Sequence, residues 1–231
     1  MQYIQAASKE QLRCLSLDIL KKQAKANNYA IDKKINKRLN RIIFNSKAKN
    51  LLVYLPLKLE VDIIPLIKKL RQKKIKVFVP FVQDISFKMV PFRLPLKRGR
   101  FNLQNAGSSF QSIKKIDIAL VPALGIDANF KRIGFGKGMY DRFFAAFTVP
   151  LIIFVQRIAC IGKNIVTDEF DSMGDLLVSA QKNYIQGFKK DDSRIIRISG
   201  APTIGGNRFF SGKKNRPSQI RYLHRAIKIK S

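Results

Sequence analysis

A short glycine-rich segment, KRIGFGKGMYD from Lys131 to Asp141, carries residue types that bind phosphate. Its glycines alternate immediately before a helical pattern, so successive backbone amides can turn towards one point and the helix start adds partial positive charge. Arg132 and Lys137 add full charges, and the segment predicts a polyphosphate site. Its spacing matches neither a P-loop nor a dinucleotide fingerprint. Taken alone, it is equally typical of a tight turn.

Acidic residues are scarce, so their grouping is informative. The chain has 15 Asp and Glu against 45 Lys and Arg, yet four acids fall close together at Asp168, Glu169, Asp171 and Asp175. Asp141 lies in the first turn of the helix predicted after the glycines. Carboxylates beside phosphate are the ligands that Mg²⁺ prefers. The alternatives are a polar loop before a strand for the cluster, and a helix-dipole partner for Asp141.

The composition limits the class of protein. The chain has 231 residues, a net charge of +30 and 46% hydrophobic residues, which excludes wholesale disorder. No apolar run approaches the ~20 residues of a membrane helix, and the N-terminal segment lacks a signal-peptide pattern. Two cysteines cannot form a disulfide framework, so we expect a reducing cytoplasm. The positive charge favours anionic partners, but its even spread is equally typical of a solvated basic surface.

Two helices precede the first predicted strand. Ser8 is a candidate N-cap for a helix from Lys9 to Asn27, and Asp32 a candidate cap for a second helix. We expect both helices to pack on one face of the sheet. Further helices are predicted over 61–74 and 139–147.

Short apolar runs between these helices predict strands. Pro56, Pro80 and Pro122 each follow such a run and should stop it. Residues 93–114 are rich in turn-forming residues and predict an irregular excursion. The predicted strands cover residues 51–55, 75–79, 86–90, 116–121, 151–155 and 176–179.

The alternation of strands and helices predicts an α/β fold. We expect a Rossmann-like, three-layer, mainly parallel sheet, with ligands bound beyond the carboxyl ends of its strands. The segments after Leu55, Val121 and Val155 should then meet at one rim. Residues 1–190 form the predicted domain, and 191–231 a basic, flexible tail. The aromatic and basic residues of that tail could contact RNA or a membrane surface, although a solvated tail is the simpler explanation.

Several motifs together resemble the 5-formyltetrahydrofolate cyclo-ligase (methenyltetrahydrofolate synthetase) family. The hallmark V-P-G-L-A-F-D … R-L-G-x-G-[GK]-G-Y-Y-D corresponds to VPALGID from Val121 and RIGFGKGMYD from Arg132. The family's opening K-x-x-L-R corresponds to KEQLR from Lys9. A leucine and a glutamate five apart match Leu55 and Glu60, and a late acidic motif matches residues 171 and 175. The resemblance covers about residues 8 to 185.

The chain departs from the family pattern at three places. Met139 stands where the family has tyrosine, Ala123 replaces a glycine, and residues 163–170 lack the proline-rich form. The loss of one aromatic contact at Met139 should affect efficiency more than the type of reaction.

The resemblance implies ATP- and Mg²⁺-dependent cyclisation of 5-formyltetrahydrofolate to 5,10-methenyltetrahydrofolate, with ADP and phosphate released. It implies catalytic roles for Lys137 and Arg132, folate contacts at Leu55 and Glu60, and Mg²⁺ ligation by Asp141 and Asp171. The implied ATP contacts are Lys9, Arg13, Arg132, Ile133, Gly134, Phe135, Gly136, Lys137, Gly138, Met139 and Tyr140.

Two other functions stay open on the sequence. One is a basic RNA-binding protein, suggested by the charge and the tail. The other is a related fold without cyclo-ligase activity, similar to sugar-phosphate isomerases or CoA transferases. We expect a monomer that binds no DNA and whose partners are 5-formyltetrahydrofolate and ATP.

Overall fold

A computed structural model of the chain describes residues 2–83, 85–94, 97–98, 104–105, 113 and 115–186. The proposed tail and most of the predicted excursion at 93–114 lie outside the described residues. The helices are α1 (Lys9–Ala24), α2 (Tyr29–Ser46), α3 (Ile64–Gln72) and α4 (Met139–Ala146). The strands are β1 (Gln2–Ile4), β2 (Asn50–Leu52), β3 (Lys76–Gln83), β4 (Ser86–Pro91), β5 (Lys97–Arg98), β6 (Gln104–Asn105), β7 (Ile118–Pro122), β8 (Gly125–Ile126), β9 (Arg132–Ile133), β10 (Leu151–Val155), β11 (Cys160–Gly162), β12 (Leu176–Val178) and β13 (Asn183–Ile185).

A seven-stranded sheet forms the centre of the fold, in the order β13-β12-β10-β7-β2-β3-β4. Its five inner strands run parallel, and β4 and β13 pair antiparallel at the two edges. Parallel strands covered on both faces read as continuous apolar runs, which is why β7 and β10 stood out in the sequence. The predicted α/β fold with a mainly parallel sheet is confirmed.

Helices cover both faces of this sheet. Leu51 and Val53 point into an apolar cluster with α2 and α3, whereas Leu52, between them, packs in a second cluster with Phe143 of α4. Alternation of side chains along a strand therefore divides the core into two layers. The expectation that both N-terminal helices lie on one face is wrong, because Leu12 of α1 packs in a third cluster with Ile133 and Cys160.

A second, smaller sheet holds α1 against the rest of the molecule. Its order is β1-β11-β8-β9, and none of its strands was predicted. Each strand has only two or three residues, too few to show the alternation of apolar and polar residues that predicts a strand. The sheet nevertheless places Arg132 and Ile133 of β9 beside the start of α1.

Strand β3 continues through Pro80, contrary to the prediction that proline stops it. The carbonyl of Val77 accepts the N–H of Phe92, which follows β4. The carbonyl of Phe78 accepts the N–H of Val53, which follows β2. Pro80 therefore faces the same side as Phe78, where the pairing with β2 has ended. A missing N–H there removes no bond from the ladder, so the proline is tolerated.

Asp32 does not cap α2, which begins at Tyr29 with Asn28 as its N-cap. Its buried carboxylate instead binds Arg157, which follows β10, with Nε and Nη2 each 2.8 Å from a carboxylate oxygen. The same carboxylate accepts from the backbone N–H of Asp62 at 3.0 Å. One ion pair therefore joins α2, the entry to α3 and the end of β10.

Among the described residues, no helix combines the length and the apolar character needed to cross a membrane.

Replacing Asp32 with alanine should destabilise the fold strongly, because Arg157 would remain buried without its counter-charge. Breaking such a pair costs about 3–5 kcal/mol. Lys115→Ala is the control, since this exposed lysine lies 3.7 Å from Asp117 and should cost less than about 1 kcal/mol. Urea unfolding of both variants measures the difference, and equal losses would contradict a stabilising role for the buried pair.

Candidate active site

Three loops meet beyond the carboxyl ends of β2, β7 and β10 and enclose a recess. Glu60 follows β2, Ala123 and Leu124 follow β7, and Gln156 and Arg157 follow β10. The residues lining the recess are Leu20, Leu59, Glu60, Val61, Ala123, Leu124, Phe135, Val155, Gln156 and Arg157. The ends of parallel strands lie at one edge of the sheet, so residues far apart in sequence become neighbours here.

The glycine loop between β9 and α4 adopts conformations that favour glycine. Gly136 and Gly138 have φ of +93° and +57°, in the left-handed region that other residues rarely occupy. Gly138 is the N-cap of α4 and supplies no side chain to the first N–H groups of the helix. Those donors and the positive end of the helix dipole are what an anion binds.

Arg132 fixes this loop from beneath. Its buried guanidinium donates from Nε to the carbonyl of Pro122 at 3.0 Å, lies 3.7 Å from Asp141 and sits over the Tyr140 ring at 5.0 Å. Gly134 makes room for it, because a Cβ there would lie 2.4 Å from Arg132 Nη1. The first glycine of the motif therefore leaves space for the Arg132 guanidinium, whereas the other two adopt backbone conformations that favour glycine.

Two basic residues of α1, one turn apart, reach the loop and the acidic cluster. Arg13 donates from Nε to the carbonyl of Gly134 at 2.9 Å. Lys9 binds both carboxylate oxygens of Asp171, at 2.7 and 2.6 Å, and lies 3.5 Å from Asp168. Burial alone would lower the pKa of Lys9, but the hydrogen bond and charge of Asp171, together with Asp168, raise it overall. The ammonium is therefore charged at neutral pH.

The two predicted metal ligands lie in one neighbourhood. Asp141 accepts the backbone N–H of Ser172 at 2.9 Å, and Ser172 directly follows Asp171. Among the described residues, no three His, Cys, Asp or Glu side chains group to hold a metal alone. Two carboxylates that leave the remaining positions to phosphate oxygens suit the Mg²⁺ of a bound nucleotide.

Glu60 stands in a tight turn at the edge of the recess. Its Oε2 accepts the N–H of Leu57 at 2.8 Å, and its own N–H donates to the Leu57 carbonyl at 2.9 Å. Burial raises the pKa of Glu60 to about 7, against the lowering effects of the Leu57 N–H and of Arg132 and Arg157. Burial and the Glu60 charge also raise the pKa of Tyr140. Glu60 thus lies within electrostatic reach of Arg132 and of the first turn of α4.

Some residues implied by the resemblance do not present a side chain to the recess. Leu55 belongs to the core cluster with α2 and α3, and Ile133 is fully buried against α1. Met139 packs partly buried at the start of α4. Phe135 lines the recess with nearly half its surface exposed, and Lys137 is exposed at the loop tip.

Gln156 and Arg157, two polar residues outside the sequence motifs, also line the recess. Gln156 donates to the carbonyl of Ala123 and accepts the N–H of Cys160, both at 3.1 Å. Arg157 holds Asp32. A glutamine and an arginine directly after the apolar strand LIIFV were a signal, because buried polar residues at a strand end need specific partners.

Asp127, from the VPALGID motif, shapes the neighbouring turn. It is fully buried, and its oxygens accept the N–H groups of Asn129, Lys131, Val166 and Thr167 and the hydroxyl of Thr167. The side chain therefore holds two chain segments together and takes a structural role rather than facing the recess.

Gly134→Ala should destabilise the protein through its contact with Arg132. Forcing a methyl group into the guanidinium costs about 1–3 kcal/mol by overpacking. In an Arg132→Ala background the same change should cost much less, since the clashing group is gone. A double-mutant cycle by urea unfolding measures this coupling; equal costs in both backgrounds would show that Arg132 does not impose the glycine.

One family model and two solved structures are similar to this chain. The 5-formyltetrahydrofolate cyclo-ligase family model matches residues 5–176. The fold is similar to the solved 5,10-methenyltetrahydrofolate synthetase of Aquifex aeolicus, with a TM-score of 0.64 and 22% identity over 80% of this chain and 98% of that one. It is also similar to the enzyme of that name from Mycoplasma pneumoniae, with a TM-score of 0.53 and 24% identity over 74% of this chain and 97% of that one.

No curated protein matches the sequence, so membership rests on the family model, and the two solved structures support the fold. The match spans the lysine and arginine of α1, the Glu60 turn, the glycine loop and the acidic cluster. The family and the enzyme class predicted from the sequence are confirmed: the chain belongs to the 5-formyltetrahydrofolate cyclo-ligase family.

Proposed function

We propose that this enzyme uses MgATP to close 5-formyltetrahydrofolate to 5,10-methenyltetrahydrofolate, releasing ADP and phosphate. The observation that carries the proposal is the position of Arg132. Its guanidinium touches Asp141 and Tyr140 behind the glycine loop, and its charge acts on Glu60 in the recess. A nucleotide at the loop and a pterin at Glu60 would therefore meet around one buried cation.

The nucleotide phosphates would bind at the glycine loop. Its backbone N–H groups, the start of α4 and the side chains of Lys9, Arg13 and Lys137 supply partial and full positive charge there. Phosphoryl transfer requires alignment and neutralisation of charge more than covalent help from the protein. We assign Lys137, exposed at the tip of the loop, to the transferred γ-phosphate.

Asp141 and Asp171 would hold the Mg²⁺ that accompanies the nucleotide. The ion neutralises phosphate charge when bound. In the structure both oxygens of Asp171 bind Lys9. Phosphate oxygens can take over the lysine, which would release this carboxylate towards the metal.

The formyl oxygen is a poor leaving group, and phosphorylation corrects this. The oxygen attacks the γ-phosphorus, the bond from that phosphorus to ADP breaks, and a phosphorylated formyl group results. N10 of the folate then attacks the formyl carbon and loses its proton, and the carbon–oxygen bond breaks to release phosphate. No protein nucleophile is needed. The task of the residues is to align the two substrates and to stabilise charge.

Glu60 would recognise the pterin. Its Oε2 is fixed by Leu57, and Oε1 has no hydrogen-bond partner among the described residues. A carboxylate held in this way can accept N–H groups of the pterin ring. Leu55, buried behind the turn, would support its shape rather than contact the ligand.

The direct experiment is an absorbance assay for methenyltetrahydrofolate with purified protein, with and without ATP and Mg²⁺. Product that forms only when both are present supports the proposal. Absence of product under all conditions contradicts it. The cytoplasmic location and the monomeric state stay predictions.

Lys137→Ala should depress turnover far more than stability. Losing one charge that stabilises a transition state costs about 10²–10³-fold in rate, whereas an exposed side chain contributes within about 0.5 kcal/mol to folding. Lys163→Ala, an exposed lysine in another loop, is the matched control and should leave turnover unchanged. Parallel losses of rate and stability would exclude the assigned role.

Folate affinity should fall as the pH drops through 7, because the Glu60 carboxylate must be ionised to accept two pterin N–H groups. With a pKa of about 7, Glu60 is mostly ionised at pH 8 and mostly protonated at pH 6. This predicts about tenfold weaker binding at pH 6. Fluorescence titration of wild type and Glu60→Gln measures it.

The Glu60→Gln variant should bind folate weakly and without this pH dependence, while its ATP affinity stays near that of wild type. A variant that loses ATP affinity first would contradict the assignment of Glu60.

A further inference from the structure

Among the described residues that line the recess, the charged ones are Glu60 and Arg157, and the proposed reaction gives Arg157 no role. It is buried, lines the recess and follows β10. A buried guanidinium is kept only where its donors are satisfied. Nε and Nη2 bind Asp32, and Nη1 reaches the carbonyl of Lys58 at 3.4 Å.

These contacts hold both ends of the Glu60 turn. Lys58 precedes Glu60 by two residues and is bound by Arg157 directly. Asp62 follows Glu60 by two residues, and its N–H donates to the Asp32 carboxylate at 3.0 Å. The hydroxyl of Tyr54 also donates to the carbonyl of Val61 at 3.0 Å. The turn is thus fixed against the end of β10 and the first turn of α2.

We propose that Arg157, held by Asp32, is a positioning residue that orients the Glu60 turn for folate binding. The inference rests on the proposed function, since it assumes that Glu60 binds the pterin. It extends that function by tying recognition to an ion pair outside the family motifs identified in the sequence.

Four groups from different elements interact electrostatically with the Glu60 carboxylate. Arg132 of β9 and Arg157 after β10 are cationic, whereas Tyr140 of α4 and Tyr54 after β2 are phenols whose pKa is raised by burial and by the Glu60 charge. The two arginines lower the pKa of Glu60 against the larger opposing effect of burial. Arg132 also binds Asp141, so Arg157 is the cation available to be changed without disturbing the glycine loop.

The test is the pH titration of folate affinity in Arg157→Gln. Loss of the neighbouring cation should move the midpoint of the titration upward, with ATP affinity unchanged. Arg157→Lys keeps the charge and should restore the wild-type midpoint, but it should bind folate more weakly because the bond to Lys58 is lost. A residue that only stabilised the fold would lower both affinities together and leave the midpoint in place.

Two further variants complete the design. Arg38→Gln removes an arginine of α2 that likewise binds loop carbonyls, those of Ser179 and Gln181, and should leave the folate midpoint unchanged. If Arg157→Gln does not fold, Asp32→Asn/Arg157→Gln removes both charges and leaves neither one buried alone. The double variant should also show an upward shift.

The outcomes separate the inference from the proposed function. If the folate affinity of wild type does not depend on pH, or if the dependence persists in Glu60→Gln, the assignment of Glu60 itself is wrong. If that dependence is present and the midpoint is the same in wild type, Arg157→Gln and the double variant, only the role of Arg157 is overturned.

Discussion

The buried guanidinium of Arg132 is the group around which the site is arranged. An arginine keeps its charge at any ordinary pH, so folding can bury it only with partners for its donors. The carbonyl at the end of β7, the carboxylate of Asp141 and the Tyr140 ring provide them. These contacts fix the start of α4 against β7. They also place the guanidinium where a Cβ at position 134 would lie, and the chain has glycine there.

The few acidic residues join distant segments of a chain that is rich in lysine and arginine. Asp171 holds Lys9, Asp32 holds Arg157, and Asp127 gathers the N–H groups of two segments. Each of these carboxylates joins segments that are distant in sequence. Phosphate could substitute for a carboxylate at Lys9, because both present anionic oxygens that accept hydrogen bonds from an ammonium. Structural and ligand-binding roles of the same lysine are therefore compatible.

Strong local patterns were predictable from the sequence. The strand Leu151–Val155 was predicted residue for residue, and the helix start at Lys9 followed from its Ser8 cap. The second sheet was not predictable, since strands of two or three residues are too short to show a repeating apolar pattern. The bond from Arg157 to Asp32 spans 125 positions, and Leu55 lies in the core because of layers formed by other elements. Such features depend on tertiary packing, which the local sequence does not encode.

Pro80 affects whether β3 can pair with a strand of another molecule. Among the residues that the structure describes, no strand pairs with β3 beyond Phe78 on the side that faces β2. An uncovered row of N–H and carbonyl groups is a template on which another chain can add a strand and begin to aggregate. Proline removes one donor from that row, so continuous intermolecular pairing is interrupted while the bonds to β4 stay intact.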